Sequence, residues 1–181
     1  MKKITLLGCL LASILVLAGC SSIETPKGSS TGYNSYRLYK EMPSGTTAFA
    51  NREDEVHSLL QNEINAVFKA KGLEEADQDA ELIVAYLVLV QNNAVSTGID
   101  DYYTNSGSEI VQYAHKQVTI KKDMPKSFEA GTLIIDVIDA NDRKLIYRDY
   151  SSKEILPELS LAERNQRAKD AVDEALAKFF R

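Results

Sequence analysis

The 181-residue chain contains no tryptophan, only two histidines and only two cysteines. So low a cysteine content excludes a small scaffold held together by disulfides. Positive charge is also scarce, because 21 Lys and Arg stand against 26 Asp and Glu, for a net charge of −5. Nucleic acid binding needs a concentrated basic face, so we expect no nucleic-acid partner. Apolar residues make up 44% of the chain, which is enough for one core in a single domain.

A largely apolar stretch of fifteen residues lies at the N-terminus, broken by Thr5, Gly8 and Ser13. Lys2 and Lys3 precede the stretch Ile4 to Ala18, which has the layout of a secretory signal. A bilayer-spanning helix takes about 20 residues, so this stretch is too short to be one. It ends in LAGC, which resembles the lipobox of bacterial lipoproteins, where the cysteine sulfur is lipidated and a peptidase cuts just ahead of it. The sequence therefore predicts a signal peptide over residues 1–19 and lipidation of Cys20. The alternatives are an ordinary secretory signal with an incidental Cys20, or an uncleaved anchor.

Cleavage ahead of Cys20 changes what the cysteines can do. It removes Cys9, and the lipid blocks Cys20, so the mature chain has no thiol for catalysis, a disulfide or a metal. We expect the membrane to be a partner through the lipid anchor. Two or more acyl chains make such an attachment lasting. Ser21 follows the cysteine, and a residue other than aspartate there resembles a sorting signal for the outer membrane. We expect the periplasmic face of the outer membrane, with the inner membrane as the alternative.

Residues 20–32 comprise the lipidated cysteine and a tether. The sequence SSIETPKGSSTG is rich in Ser, Thr and Gly, and such a segment buries too little apolar surface to offset its ordering. We predict a flexible tether that extends to about 40 Å. Residues 33–181 form the single predicted domain.

Two amphipathic helices are predicted in this domain. Apolar residues recur at three- and four-residue steps from Val56 to Phe68, and Gly72 marks the end of that helix. Ser160 and Glu163 form a capping box for a second helix. Its expected apolar face is Leu161, Ala168, Ala171, Val172, Ala175, Leu176 and Phe179.

The strands complete the prediction of the fold class. Residues 82–90 (LIVAYLVLV) are apolar throughout and indicate a central strand covered on both faces. Residues 131–139 and 144–150 are β-rich runs joined by short turn chemistry, which indicates an antiparallel hairpin. A first strand begins near Tyr33. We therefore predict an α+β, two-layer fold: a mostly antiparallel sheet of four to five strands with two amphipathic helices packed on one face.

Several of these segments resemble one family. They are the helix leading to Lys71-Gly72, AELIVAY (80–86), GTLIID (131–136), Asp139, KLIYR (144–148) and the helix end ALAKFF (175–180). Over most of residues 33–181 they resemble the bacterial lipoprotein family of the domain of unknown function 4136 type. Tyr147 stands where that family usually has tryptophan, and Asp149 where it usually has glycine. The resemblance implies an exported, membrane-tethered α+β domain and brings no established reaction and no catalytic residues.

Few side chains offer chemistry. His57 and His115 are isolated, and neither has the spacing of a metal ligand. Asp136 and Asp139 are three residues apart on a strand, which places them on opposite faces. Asp139 and Asp142, with the asparagine between them, suit a hairpin turn better than a calcium loop, because the glycine and final glutamate of such a loop are missing. We expect no catalytic residue, no metal and no cofactor.

The most suggestive surface feature is the polar, turn-rich segment 92–109. It contains Asp100, Asp101, Tyr102 and Tyr103, and tyrosine gives interfaces a large contact area at low entropic cost. This segment is a possible partner-binding loop. The alternative is a solvated loop whose tyrosines fold back on the sheet.

The sequence thus favours a non-catalytic, lipid-anchored binding or scaffolding module of the cell envelope, with an envelope protein as a possible partner. A carrier of an apolar or lipid ligand between helices and sheet is the alternative. An envelope hydrolase is a third reading, which would need a convergent polar cleft.

Overall fold

The computed structural model describes residues 28–39, 53–89, 94–95, 109, 112, 127–128, 130–156 and 158–181. Seven strands and two long helices lie in these ranges. In chain order they are β1 (Ser35–Leu38), α1 (Glu53–Ala70), β2 (Glu74–Glu75), β3 (Leu82–Leu89), β4 (Ala94–Val95), β5 (Ser127–Phe128), β6 (Thr132–Asp139), β7 (Lys144–Ser152) and α2 (Leu161–Leu176).

The main sheet is mixed and has five strands in the order β2-β1-β3-β6-β7. The three long strands β3, β6 and β7 pair antiparallel, whereas the short strands β1 and β2 pair parallel, β1 with both β3 and β2. β4 and β5 form a separate antiparallel pair. The predicted α+β fold and the predicted β6–β7 hairpin are therefore confirmed.

Both helices cover one face of this sheet. Alternate strand residues point toward the helices and join them in one apolar core, which includes Tyr36, Tyr86, Phe68, Tyr147 and Phe179. Ring contacts tie the layers together: the centroids of Tyr36 and Phe68 lie 4.6 Å apart, and those of Tyr147 and Phe179 lie 5.2 Å apart. This arrangement confirms the prediction of two helices on one face.

The opposite face of the sheet is buried as well. Ile83 and Ile138 are 1% exposed and Ile134 is fully buried. A strand that is apolar on both sides has no solvent-facing residues to alternate with, which explains the continuous apolar run of β3. The predicted central strand covered on both faces is therefore confirmed, and it ends at Leu89 among the described residues.

The two helices run in the same direction. Arg164 near the start of α2 bonds Glu55 near the start of α1, with 3.2 Å between nitrogen and oxygen. At their other ends the rings of Phe68 and Phe180 lie 5.0 Å apart. The domain consequently has two distinct ends, with both helix N-termini at one and both helix C-termini at the other.

We call the end with the helix C-termini the strap end, because residues 28–32, named the strap, lie there. It also contains the turn between β6 and β7, since the Ala140 N–H bonds the carbonyl of Glu81 just before β3. The end with the helix N-termini is the distal end. There the Gly131 N–H donates to the Leu89 carbonyl at 2.6 Å, and the Lys153 N–H donates to the Gly131 carbonyl at 3.1 Å.

One helix position differs from the prediction. Leu161, expected on the buried face of α2, is 56% exposed. It occupies the first position of the helix, ahead of the turns that face the sheet. The other expected residues of that face are buried or half-buried, so the prediction was wrong at Leu161 because the helix begins before it meets the core.

Candidate functional site

The strap is the first described part of the chain, and backbone hydrogen bonds hold it to the domain. The Gly28 N–H donates to the Ile146 carbonyl at 2.7 Å, and the Ser30 N–H donates to the Phe179 carbonyl at 3.0 Å. The strap therefore bridges the edge strand β7 and the end of α2. The stretch of residues 28–32, which the composition predicts to be flexible, makes specific contacts with the domain.

A bulge in β7 explains why the Ile146 carbonyl can accept the hydrogen bond from the strap. Val137 pairs with Tyr147 and Ile138 pairs with Leu145, so Ile146 has no opposite residue on β6. A bulge residue is left unpaired in its ladder, and here its carbonyl oxygen takes the bond from the strap. The strap also covers part of an edge strand, which otherwise presents open hydrogen-bonding groups.

The strap approaches β7 so closely that only glycine fits at its contact point. A Cβ atom on Gly28 would lie 2.5 Å from the Ile146 carbonyl oxygen and 3.2 Å from the Ile146 Cβ. No ordinary contact is that short, so any side chain at this position pushes the strap away from β7. Sequence reasoning missed this role because it took Gly28 as one of several flexible tether residues.

Tyr33, just after the strap, connects the start of β1 to the turn between β6 and β7. Its hydroxyl donates to Asp139 Oδ2 at 2.7 Å, and Asp139 Oδ1 accepts the backbone N–H groups of Asn141 and Asp142. Burial, followed by the bond to Asp139, raises the pKa of Tyr33 to about 12. Burial alone would raise the pKa of Asp139, but the bonds from Asp142, Tyr33 and Asn141 outweigh it, so that pKa is lowered. Asp139 thus organises the β6–β7 turn, in line with the prediction of a turn at this place.

A second carboxylate lies on the other face of β6. Asp136 is 1% exposed and accepts two bonds from the fully buried Arg148, one from Nε and one from Nη2. The two residues are direct cross-strand neighbours in the β6–β7 pair. Asp136 and Asp139 therefore hold different partners on opposite faces. A fork of two parallel bonds fixes both side chains, which indicates a structural role.

His57 is tied to the core. Its Nδ1 lies 3.1 Å from the hydroxyl of Tyr86, which also accepts from Gln61 Nε2 at 3.0 Å. Burial raises the pKa of Tyr86 to about 12. These contacts join α1 to β3. They are the contacts of a structural histidine.

The two positions that depart from the family pattern lie under α2. Tyr147 is fully buried, and its hydroxyl donates to the Ala175 carbonyl at 2.6 Å. Burial, with Asp149 nearby, raises its pKa. Asp149 accepts from Lys178 Nζ at 2.8 Å. The smaller ring and the added carboxylate together make polar links from β7 to the end of α2.

The remaining sequence predictions fall on other parts of the chain. Cys20, His115 and the possible partner-binding residues Asp100, Asp101, Tyr102 and Tyr103 lie outside the described residues. Their predicted roles stay predictions.

The distal end exposes two large apolar side chains within the described ranges. Leu156 is 40% exposed and Leu161 is 56% exposed. They flank the start of α2, where the capping box holds Ser160: its N–H donates to Glu163 Oε2 at 2.8 Å. The Ser160 hydroxyl also donates to Glu163 Oε2, at 2.6 Å, and this bond, followed by the one from the N–H, lowers the pKa of Glu163. A well-ordered helix start therefore presents both leucines to solvent.

An open recess of about 740 Å³ lies at the strap end beside β2. Its lining residues are Lys69, Gly72, Leu73, Glu74, Glu75 and Asp77. Lys69 Nζ lies 2.9 Å from Glu75 Oε2, so these two side chains partly neutralise each other's charge. The lining offers a mixture of charges and no histidine or nucleophile.

The described ranges hold no group of three His, Cys, Asp or Glu residues placed to bind a metal ion. Within the same ranges, neither helix has the length and apolar content needed to cross a membrane.

This geometry defines the class of the protein: a two-layer α+β domain whose N-terminal strap is bonded to one end. Comparison with known families then identifies the group to which it belongs. Residues 24–179 match the family described as "Domain of unknown function (DUF4136)". The chain belongs to this family, as the residue pattern indicates.

Other comparisons are weaker. No curated protein is similar to this chain. Among solved structures, a PelC dodecamer from Paraburkholderia phytofirmans is 10% identical, with 89% of this chain and 96% of that chain covered and a TM-score of 0.42. A variant PelC dodecamer from the same organism is 12% identical, with 86% and 92% covered and a TM-score of 0.41.

Proposed function

We propose that this protein is a lipid-anchored binding or scaffolding module, without catalytic activity, at the periplasmic face of the outer membrane. The observation that carries the anchoring is the sequence LAGC, ending at Cys20, behind a charged start and a short apolar stretch. The described domain makes its first contact at Gly28, eight residues beyond Cys20. Attachment at Cys20 would therefore hold the whole domain beside a bilayer.

The binding role is supported by how the polar side chains are used. The described residues that the sequence singles out for chemistry have structural partners: Asp136 holds Arg148, Asp139 holds Tyr33, and His57 contacts a tyrosine. By contrast, Leu156 and Leu161 are exposed without such a role. Exposed apolar side chains suit protein contact.

The carrier hypothesis is less well supported. A carrier of an apolar ligand needs space between helices and sheet, but rings fill that layer: Phe68 packs on Tyr36 at 4.6 Å and on Phe179 at 6.0 Å. These side chains are fully buried by one another and by their neighbours. Rings packed in this way leave little space for an apolar ligand between the helices and the sheet.

Labelling with a clickable fatty acid tests the anchor. The wild-type protein should incorporate the label and sediment with membranes, and the Cys20→Ala variant should do neither. Incorporation that persists in Cys20→Ala would contradict lipidation at this residue. Separation of inner and outer membranes then tests the location, with recovery in the inner-membrane fraction as the contrary result.

Periplasmic photo-crosslinking tests the binding role. A photoreactive residue in place of Leu161 should capture a defined envelope protein, and the same residue in place of Arg143 at the strap end should not. Capture of lipid instead, together with lipid that co-purifies in native mass spectrometry, would favour a carrier over a scaffold.

A further inference from the structure

We propose that the strap fixes how the domain stands on the membrane, so that the strap end faces the lipid headgroups and the distal end faces away. This inference rests on the proposed anchor at Cys20. The observations behind it are the two backbone bonds of the strap and the close approach of Gly28 to the Ile146 carbonyl.

The length of chain between lipid and strap sets the first limit. Cys20 and Gly28 are separated by eight peptide steps, and eight steps of chain extend to about 27 Å at most. A compact domain of about 150 residues is about 38 Å across. From the strap end, this chain is too short to pass around the domain and bring the distal end to the bilayer.

Release of the strap would remove that limit. If the first fixed residue were Tyr33, the chain would have thirteen steps and reach about 44 Å, more than the width of the domain. The two strap bonds therefore decide whether the domain can turn over. The bulge at Ile146 supplies one acceptor and the end of α2 supplies the other, so the strap is held from two elements.

The strap therefore sets the orientation of the whole fold relative to the bilayer. Each helix runs from the distal end to the strap end, and the 18 residues of α1 span about 27 Å. Leu156 and Leu161 thus stand at the end remote from the bilayer, where a partner in the periplasm can reach them. The turn at Asn141 stands close to the headgroups.

The experiment uses the full lipidated protein in vesicles of phosphatidylethanolamine and phosphatidylglycerol. The mature chain has no other free thiol, so a single cysteine introduced at Asn141 or at Glu158 takes a donor dye cleanly. Both positions are exposed, Asn141 at the strap end and Glu158 at the distal end. With acceptor dye on the headgroups, energy transfer from position 141 should exceed that from position 158 several-fold.

Strap variants test the cause. Gly28→Val combined with Ser30→Pro should remove both strap bonds and bring the two transfer values together. Thr31→Val is the matched control, since Thr31 is an exposed residue of the same strap and keeps its shape. Insertion of five Gly and Ser residues directly before Gly28 should equalise the two values with the strap still bound, because the chain then has thirteen steps. If this double variant fails to fold, the insertion variant tests the chain-length limit with both strap bonds in place.

The outcomes separate this inference from the proposed anchor. Equal transfer from both positions in wild-type protein of lipidated mass overturns the orientation. A transfer difference that persists in the folded Gly28→Val, Ser30→Pro double variant overturns the role of the strap. Protein that lacks the lipid mass overturns the anchor itself.

Discussion

The two ends of this domain are built differently. At the strap end, backbone bonds to Ile146 and Phe179 and the Tyr33–Asp139 bond tie an incoming segment to the sheet and to α2. At the distal end, Gly131 joins three strand ends, and two leucines beside the start of α2 remain exposed. At the strap end, polar groups therefore bind the protein's own chain. At the distal end, apolar side chains remain exposed and available for contact with a partner.

This difference shows how a small α+β domain can separate attachment from recognition. An edge strand is a place where unwanted pairing begins, and the strap covers part of β7 at one end only. The distal end is the point from which the long segment after Leu89 departs and to which the chain returns at Gly131. The following variants break or sharpen the contrast between the ends, in order of expected effect.

The largest effect on stability should come from the buried Asp136–Arg148 pair, which joins β6 to β7 between the two ends. Asp136→Ala leaves Arg148 as a buried charge without its carboxylate, which costs about 3 to 5 kcal/mol in the free energy of unfolding. Urea denaturation measures this loss. The double variant Asp136→Leu with Arg148→Met should recover most of the stability, because it buries no charge. Equal losses in the single and double variants would contradict a role for the ion pair.

A pair of glycine variants compares the two ends directly. At Gly131 the φ angle is +87°, and a Cβ would lie 1.8 Å from the Lys153 carbonyl oxygen, between strands that cannot separate. We expect Gly131→Ala to cost about 3 kcal/mol, from strain and overpacking combined. At Gly28 the contact is 2.5 Å, but the strap can lift away, so Gly28→Ala should cost less than about 1 kcal/mol.

Thermal unfolding of both alanine variants tests this comparison. Gly72→Ala serves as the control, since its φ angle is +88° with no atom within 4 Å of the added Cβ, and it isolates the cost of the backbone conformation. A loss at Gly28 as large as the loss at Gly131 would mean that the strap is integral to the fold and cannot be released.

Much of the fold could be predicted from local patterns. The stripe from Val56 to Phe68, the apolar run from Leu82 and the capping box at Ser160 each reflect a regular period or a local bond, and the structure has the corresponding elements. Such features depend only on neighbours in sequence, which is why one chain suffices to find them.

The features that set the two ends apart depend on residues distant in sequence. Gly28 is one glycine of a Ser- and Gly-rich stretch until the bulge at Ile146 is known, and the bulge follows from a register that no short pattern specifies. Asp136 pairs with Arg148 only because β6 and β7 meet in that register. Leu161 fits the helical stripe but lies before the helix reaches the core.

Acid should weaken the strap end selectively. Asp139 has a lowered pKa in the folded protein, so its contribution is present above its ordinary value of 3.8 and is lost as the pH falls through the lower folded value. Asp139→Asn should therefore cost about 1 kcal/mol at neutral pH, and this cost should shrink as the pH falls through the lowered pKa of Asp139 and the wild-type carboxyl is protonated as well. Stability curves from pH 7 to 2 give the test, with the exposed Asp142→Asn as the control. A difference between wild type and Asp139→Asn that does not change with pH would contradict this role.

The smallest effect on stability is expected at the distal end, where the effect on function should be largest. Leu156 and Leu161 are exposed, so the double change to serine should alter the free energy of unfolding by less than about 0.5 kcal/mol. Crosslinking to an envelope partner from a photoreactive residue at the exposed position Glu158 should nevertheless fall strongly, because the two leucines contribute apolar contact area only when a partner covers them. Ala162→Ser, an exposed position on the same helix turn, provides the control. Unchanged crosslinking in the double variant would move the recognition surface away from the start of α2, and the contrast between the two ends would then rest on the strap alone.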